Sequence, residues 1–268
     1  MRLMSAEMPT NYELPDGWRL DYHRSATSSN DLALAALRES AREAEGKCFQ
    51  VGEQTEGRGR RGKKWVSQLG DGLYLSIILC PKAPRATWSG LSFVASLAVY
   101  KALLSLIEDT YIASCGLKWP NDILCENRKL AGILLEASTE GVIVGCGINM
   151  ENAPELRQTD FPPIALDELV TSQLIDPKAL ACAVIHQMAQ FYAIWNAGGM
   201  QIILDEWRFY CDMKGRSVRI QTMKDVVIGT YEDIGSDGQL IVRTADGKIV
   251  QIHAGEVEIL RDRNASGN

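Results

Sequence analysis

Two near-continuous apolar runs, residues 129–137 and 141–150, lie only three residues apart and constrain the fold more than anything else in the chain. They read as neighbouring central strands of a mixed sheet. Gly132, Gly145 and Gly147 interrupt them at points where a ligand can lie against the backbone. Further strands are expected over 18–24, 48–53 and 73–79. Ser28, Ser29 and Asn30 are good capping residues directly before a helical run, which Gly46 is expected to end. Residues 91–107 carry apolar positions at helical spacing, and two more helices are expected over 176–195 and 202–210. The stretch 151–163 is polar and proline-bearing, a surface loop.

Beyond Gly215 the texture changes to short strands, 217–221, 226–234, 240–245 and 248–253. Asp237-Gly238 and Asp246-Gly247 are hairpin turn signals. About fifty residues of this kind suggest a small β-barrel appended to the main domain. The expected division is therefore 1–214 and 215–268 in a chain of 268 residues, of mixed α/β (α+β) class.

Composition narrows the function classes. With 46% hydrophobic and 23% charged residues the chain reads as an ordinary globular protein. A net charge of −6 argues against general nucleic-acid affinity. No apolar run is seen that approaches the roughly 18 residues of a membrane helix, and no signal peptide is visible. Seven cysteines without a C-x-x-C pair suggest free buried thiols in a reducing cytoplasm. His23, His186 and His253 stand too far apart to build a local zinc motif.

Against that acidic background, residues 57–62 alternate three glycines with three arginines: Gly57-Arg58-Gly59-Arg60-Arg61-Gly62. Glycine lets backbone N–H groups approach a ligand, and the guanidinium fork matches phosphate and carboxylate oxygens. The segment describes a mobile cationic loop able to close over a small anion. Taken alone, it reads equally as a solvated basic turn. It has the spacing of neither a Walker loop nor a dinucleotide fingerprint.

A second block, Lys118-Trp119-Pro120-Asn121-Asp122, is followed seven residues after Asp122 by Lys129-Leu130-Ala131-Gly132. The proline fixes the chain, Asn121 and Asp122 fall on a turn entering a strand, and Lys129 points into the same region if that hairpin closes. A semi-buried lysine beside a cationic loop calls for an anion between them.

These blocks, with Gly145-Cys146-Gly147-Ile148-Asn149-Met150, resemble in order and spacing the signature segments of biotin–protein ligases, and the resemblance spans about 18–260. It implies a mixed-sheet catalytic domain with an SH3-like C-terminal barrel. It also implies a two-step reaction. Biotin and ATP form biotinyl-adenylate and pyrophosphate, with Mg²⁺ bound mainly by the phosphates and no protein metal cage. A lysine of a biotin carboxyl-carrier domain then takes the biotin. By matching position, Ser28, Ser29, Asn30 and Gln54 resemble the residues that hold biotin's ring system. Gly57, Arg58, Gly59 and Arg60 resemble the covering loop, with Arg61 beside it on the adenylate. Trp65, Asn121, Asp122 and Asn149 would lie on the nucleotide side, and Gly132, Gly145 and Gly147 would floor the pocket. Lys129, Arg60 and Asp122 form the implied catalytic set. Ser29 stands where the family commonly has threonine, and the hydroxyl survives. Fewer than thirty residues precede the Ser28 block, so a DNA-binding domain of the repressor type is not expected. A lipoate or octanoate ligase or transferase, and a non-catalytic biotin-responsive regulator, are the alternatives. A homodimer stays open.

Overall fold

Both apolar runs form central strands. In the computed structural model, which describes residues 12–107, 112, 114–155, 160–170, 175–211 and 213–260, β6 (Arg128–Ala137) and β7 (Val142–Asn149) pair antiparallel. Around them lie β1 (Arg19–His23), β2 (Lys47–Val51), β3 (Gly72–Leu79), β4 (Cys115–Lys118) and β5 (Asp122–Cys125). Their order is β1-β2-β3-β7-β6-β5-β4. β1 runs parallel to β2 and the remaining neighbours are antiparallel, so the sheet is mixed, as expected.

Alternation along the strands gives this sheet two unlike faces. On one, Leu73, Leu75, Ile77 and Leu79 of β3 and Val142, Val144, Cys146 and Ile148 of β7 enter the main core. They lie there with α3 (Leu91–Leu106), the short α4 (Leu166–Leu169), α5 (Pro177–Asn196) and α6 (Met200–Tyr210). On the other face Ile78, Ile143 and Phe49 pack beneath α1 (Ser29–Glu39) and α2 (Ala41–Ala44). Farther along that face stand Ser76 and three glycines, with Ser76 beside Gly145 and Gly132 beside Gly147. A stretch of sheet without bulky side chains cannot fill the space above itself, and a hollow remains.

Three expectations are corrected. The first helix stops at Ser40, whose backbone is extended, and α2 is a separate turn before Gly46, which bends the chain into β2 at φ +76°. A 3₁₀ turn (Arg85–Gly90) runs straight into α3, giving 22 residues whose most apolar 18-residue window has a mean hydropathy of 1.5, long and apolar enough to cross a membrane. No such run is expected from the sequence. That window is 67% buried in the protein, because the sheet lies on one side of the helix and α5 and α6 on the other. The third concerns the cysteines. Cys115 and Cys125 face each other across β4 and β5 and are joined as a disulfide, where free thiols were expected. A separation of ten residues carries no local signal of that register. Cys48, Cys146 and Cys182 are free and buried as anticipated, while Cys80 and Cys211 are half-buried.

The C-terminal strands β8 (Ser217–Gln221), β9 (Val226–Ile234), β10 (Leu240–Thr244), β11 (Ile249–Ile252) and β12 (Glu256–Ile259) form the SH3-like sheet, ordered β11-β10-β9-β8-β12. Gly238 and Gly247 take φ of +79° and +83° in the two hairpin turns that their Asp-Gly pairs announced. β12, four residues long, was not anticipated. This sheet sits on the first one. Trp119 Nε1 donates to the Gly238 carbonyl at 2.9 Å, tying the turn at Pro120 to the β9–β10 hairpin.

Candidate active site

The hollow above the glycines is a cavity of about 480 Å³. Every candidate site residue assigned a role from the sequence lines it except Gly57, which stands behind the wall. A Cβ on Gly57 would come within 2.4 Å of the Trp65 carbonyl oxygen, so its role is close backbone packing.

At one end the N-terminus of α1 overhangs the sheet. Ser28 is the N-cap, its hydroxyl accepting from Asn30 N at 3.1 Å. This start sets Ser29 and Asn30 in the first turn, facing Gly145, where an added Cβ would lie 2.5 Å from Asn30 Oδ1. Gln54 Oε1 accepts from Ser29 N at 2.8 Å, and Gln54 Nε2 donates to Ser67 Oγ at 3.1 Å. A ring with both donors and acceptors matches such a cluster of amides and hydroxyls.

The arginine loop crosses the cavity and is held at several points. Arg58 grips Asp31 with two hydrogen bonds of 2.6 and 3.2 Å and lies 3.6 Å from Glu136. Arg60 donates to Asn121 Oδ1 at 2.9 Å. Arg61 takes a left-handed conformation, φ 55°, directly before Gly62 at φ 75°, and this tight turn sends the Arg61 guanidinium to the Gln221 carbonyl. Lys63 forms an ion pair with Glu256 of β12. The loop is therefore latched to the C-terminal sheet, and Gly255, Glu256 and Val257 help line the cavity. Glu256→Ala is expected to speed hydrogen exchange of the amides in residues 60–64 by up to about fivefold, the reach of one exposed ion pair. Unchanged exchange would remove Glu256 from the latch.

At the other end two lysines share one carboxylate. Lys118 Nζ lies 3.3 Å from Asp122 Oδ2, and Lys129 Nζ lies 2.7 Å from Asp122 Oδ1. Burial alone would raise the Asp122 carboxyl, but the two ammonium groups outweigh it and hold it down to about 2. Burial pushes Lys118 down, with Lys129 and Arg60 adding like-charge repulsion. Its ammonium also sits 4.5 Å from the Phe161 ring centroid. Arg60 is lowered by burial as well, and its partner is an amide oxygen rather than a carboxylate. Positive charge at this end exceeds what Asp122 offsets locally, the arrangement that receives an anion.

Lys129 is fixed from behind. Its N–H donates to Pro162 O at 2.7 Å, and its carbonyl accepts from Ile164 N and from Asn149 Nδ2. Asn149 Nδ2 also reaches the Ile164 carbonyl, so both of its amide protons are spent on the backbone. Trp65 lies over the glycine floor, 5.6 Å from the Lys129 ammonium to the ring centroid, with its Nε1 donor buried and without a partner among the described residues.

The sequence does not point to Lys118, Phe161 or Glu256 as site residues. Lys118 stands inside the second block but carries no expected role there. Phe161 and Glu256 carry no local signal, since Glu256 meets Lys63 across 193 positions.

Comparison with known proteins agrees with this geometry. Residues 22–149 match the Biotin/lipoate A/B protein ligase family, and residues 215–260 match the Biotin protein ligase C terminal domain. The chain is 32% identical over 248 residues to a biotin–[acetyl-CoA-carboxylase] ligase of Mycobacterium tuberculosis, covering 91% of each. To the enzyme of that name from Paracoccus denitrificans it is 33% identical over 213 residues, covering 76% of this chain and 87% of that one. Its backbone is similar to the biotin protein ligase from Aquifex aeolicus in complex with biotin and ATP, with a TM-score of 0.77, 27% identity, and coverage of 91% and 99%. A glycine-floored sheet, a cationic loop above it and matched relatives over nine-tenths of the chain lead to one conclusion: this protein belongs to the biotin/lipoate ligase family and, within it, to the biotin protein ligases.

Proposed function

We propose that this chain is an ATP-dependent biotin–protein ligase that makes biotinyl-5′-AMP and then biotinylates a lysine of a carboxylase's biotin carboxyl-carrier domain. One observation carries the reading: Lys118, Lys129 and Arg60 converge around Asp122 and Asn121 at one end of a cavity whose other end is lined by Ser29, Asn30 and Gln54. A carboxylate tethered to a polar ring then meets the α-phosphate beside these cations.

In the first step a biotin carboxylate oxygen attacks the α-phosphorus and pyrophosphate leaves with the electron pair of the broken P–O bond. Both reactants are anions, and Lys129 and Arg60 offset their repulsion and the charge that builds in the transition state. Asp122 orients Lys129 toward them. In the second step a neutral carrier-lysine amine attacks the acyl carbon, an amide forms, and AMP departs. The arginine loop keeps water from the anhydride meanwhile.

The site fits Mg²⁺ carried on phosphate oxygens. Asp122 is already shared by two lysines, and among the described residues no group of three His, Cys, Asp or Glu could cage a metal. Bound in that way, Mg²⁺ would neutralise phosphate charge and favour the leaving group. Residues 1–214 serve as the catalytic domain in this reading and residues 215–268 as the C-terminal one, working in the cytoplasm where carboxylases and ATP are present.

The deciding experiment is pyrophosphate exchange into ATP. Biotin should support it at least about a hundredfold better than lipoate or octanoate, since buried amides and hydroxyls left without partners penalise an apolar acid. Equal support by lipoate would overturn the reading.

A further inference from the structure

Ser76 and Glu136 lie outside the cavity lining, yet both touch residues within it. Ser76 is fully buried on β3, and its Oγ lies 2.5 Å from Asn30 Oδ1 and 2.7 Å from Ser29 Oγ. Glu136, near the end of β6, has its Oε2 at 2.5 Å from Asn30 Nδ2.

Counting protons along this row fixes its direction. A carboxylate only accepts, so Asn30 must turn its NH₂ to Glu136 and its carbonyl oxygen to Ser76. That oxygen also only accepts, so Ser76 spends its single proton on Asn30. The Ser76 oxygen must then receive the proton of Ser29. Gln54 Oε1, at 3.1 Å, is the other acceptor within reach of that proton, but it is already bonded to Ser29 N. Choosing it would leave two serine oxygens 2.7 Å apart with no proton between them. With its proton spent, Ser29 faces the cavity as an acceptor.

We propose that Glu136 and Ser76 are positioning residues that set this hydrogen-bond direction, making Ser29 select a ligand that presents an N–H. The inference rests on the ligase reading and deepens it. A cyclic urea offers a ring N–H at that point, whereas a dithiolane or an alkyl chain offers none. The specificity of the site for biotin then begins at a carboxylate that biotin does not touch.

Glu136→Gln is nearly isosteric but can donate. Asn30 is then free to turn over, the row can reverse, and Ser29 can point its proton at the ligand N–H. Ser76→Ala breaks the row at its middle. Calorimetry on the purified full-length chain should show the biotin Kd rising about tenfold in each variant. The double variant should be no worse than either single change, because both interrupt one chain of bonds. With saturating biotin, kcat should stay within about twofold and Tm should be unchanged in Glu136→Gln. Two results would overturn the proposal: a Glu136→Gln Kd within about twofold of wild type, or losses that multiply to about a hundredfold. Multiplied losses would mean that Glu136 acts through Arg58 instead. Wild-type pyrophosphate exchange checks the ligase reading separately, since the binding cycle does not depend on catalysis.

Discussion

Lys129→Ala should lower biotin-dependent pyrophosphate exchange by a hundredfold or more while the protein stays folded. The ammonium is the partly exposed member of the buried lysine pair, 29% accessible against 5% for Lys118, and it faces the cavity from β6. Removing one fixed cation from a desolvated phosphoryl-transfer site costs at least about 3 kcal/mol of transition-state stabilisation. Stability should change little. The Lys129 backbone keeps its bonds to Pro162, Ile164 and Asn149, and Asp122 keeps Lys118. Near-normal exchange by a folded variant would take Lys129 out of the chemistry. Lost exchange with a lowered Tm would leave a structural role instead.

Asp122→Ala should act in the opposite way, damaging the fold more than any other single change in the site. Lys118 would be left buried without a counter-charge, facing Lys129 and Arg60. Breaking such a pair from one side costs about 3–5 kcal/mol. The cost should also depend on pH. In the variant, folding disfavours protonated Lys118, so the unfolded chain binds more protons, and stability rises with pH toward the unfolded lysine pKa of about 10.4. In the wild type the same rise is present but weaker, since Lys118 is lowered there too while Asp122 opposes the shift. Asp122 is held down to about 2, so its contribution is complete above the unfolded value near 3.8 and fades only as pH falls through about 2. Urea midpoints at about pH 7 and about pH 9.5 separate these cases. A variant as stable as wild type at both would show that Lys118 does not need its partner.

Sequence alone carried most of the order of elements and about half of the residues that line the cavity, and the reasons are local. Ser28 caps α1 through its own side chain, so Ser29 and Asn30 had to begin a helix. Apolar runs with glycines at 132, 145 and 147 could only be central strands with a bare patch. Asp-Gly pairs announced two C-terminal hairpins, since glycine readily takes the left-handed conformation that these turns use.

What the sequence could not carry involves pairs far apart in the chain. Whether Cys115 meets Cys125 depends on the register of β4 against β5, and register is settled by how the whole sheet buries its faces. The helix expected over 91–107 forms as α3, and it reaches 22 residues only because a 3₁₀ turn packs onto its start. Lys63 finds Glu256, and Trp119 finds the Gly238 carbonyl, because two sheets dock against each other. The direction of the Glu136–Asn30–Ser76–Ser29 row is the clearest case. Each residue type permits hydrogen bonding in either sense or fixes only its own end, and it takes α1, β3 and β6 brought together in space to make a single direction of proton donation the one that satisfies them all.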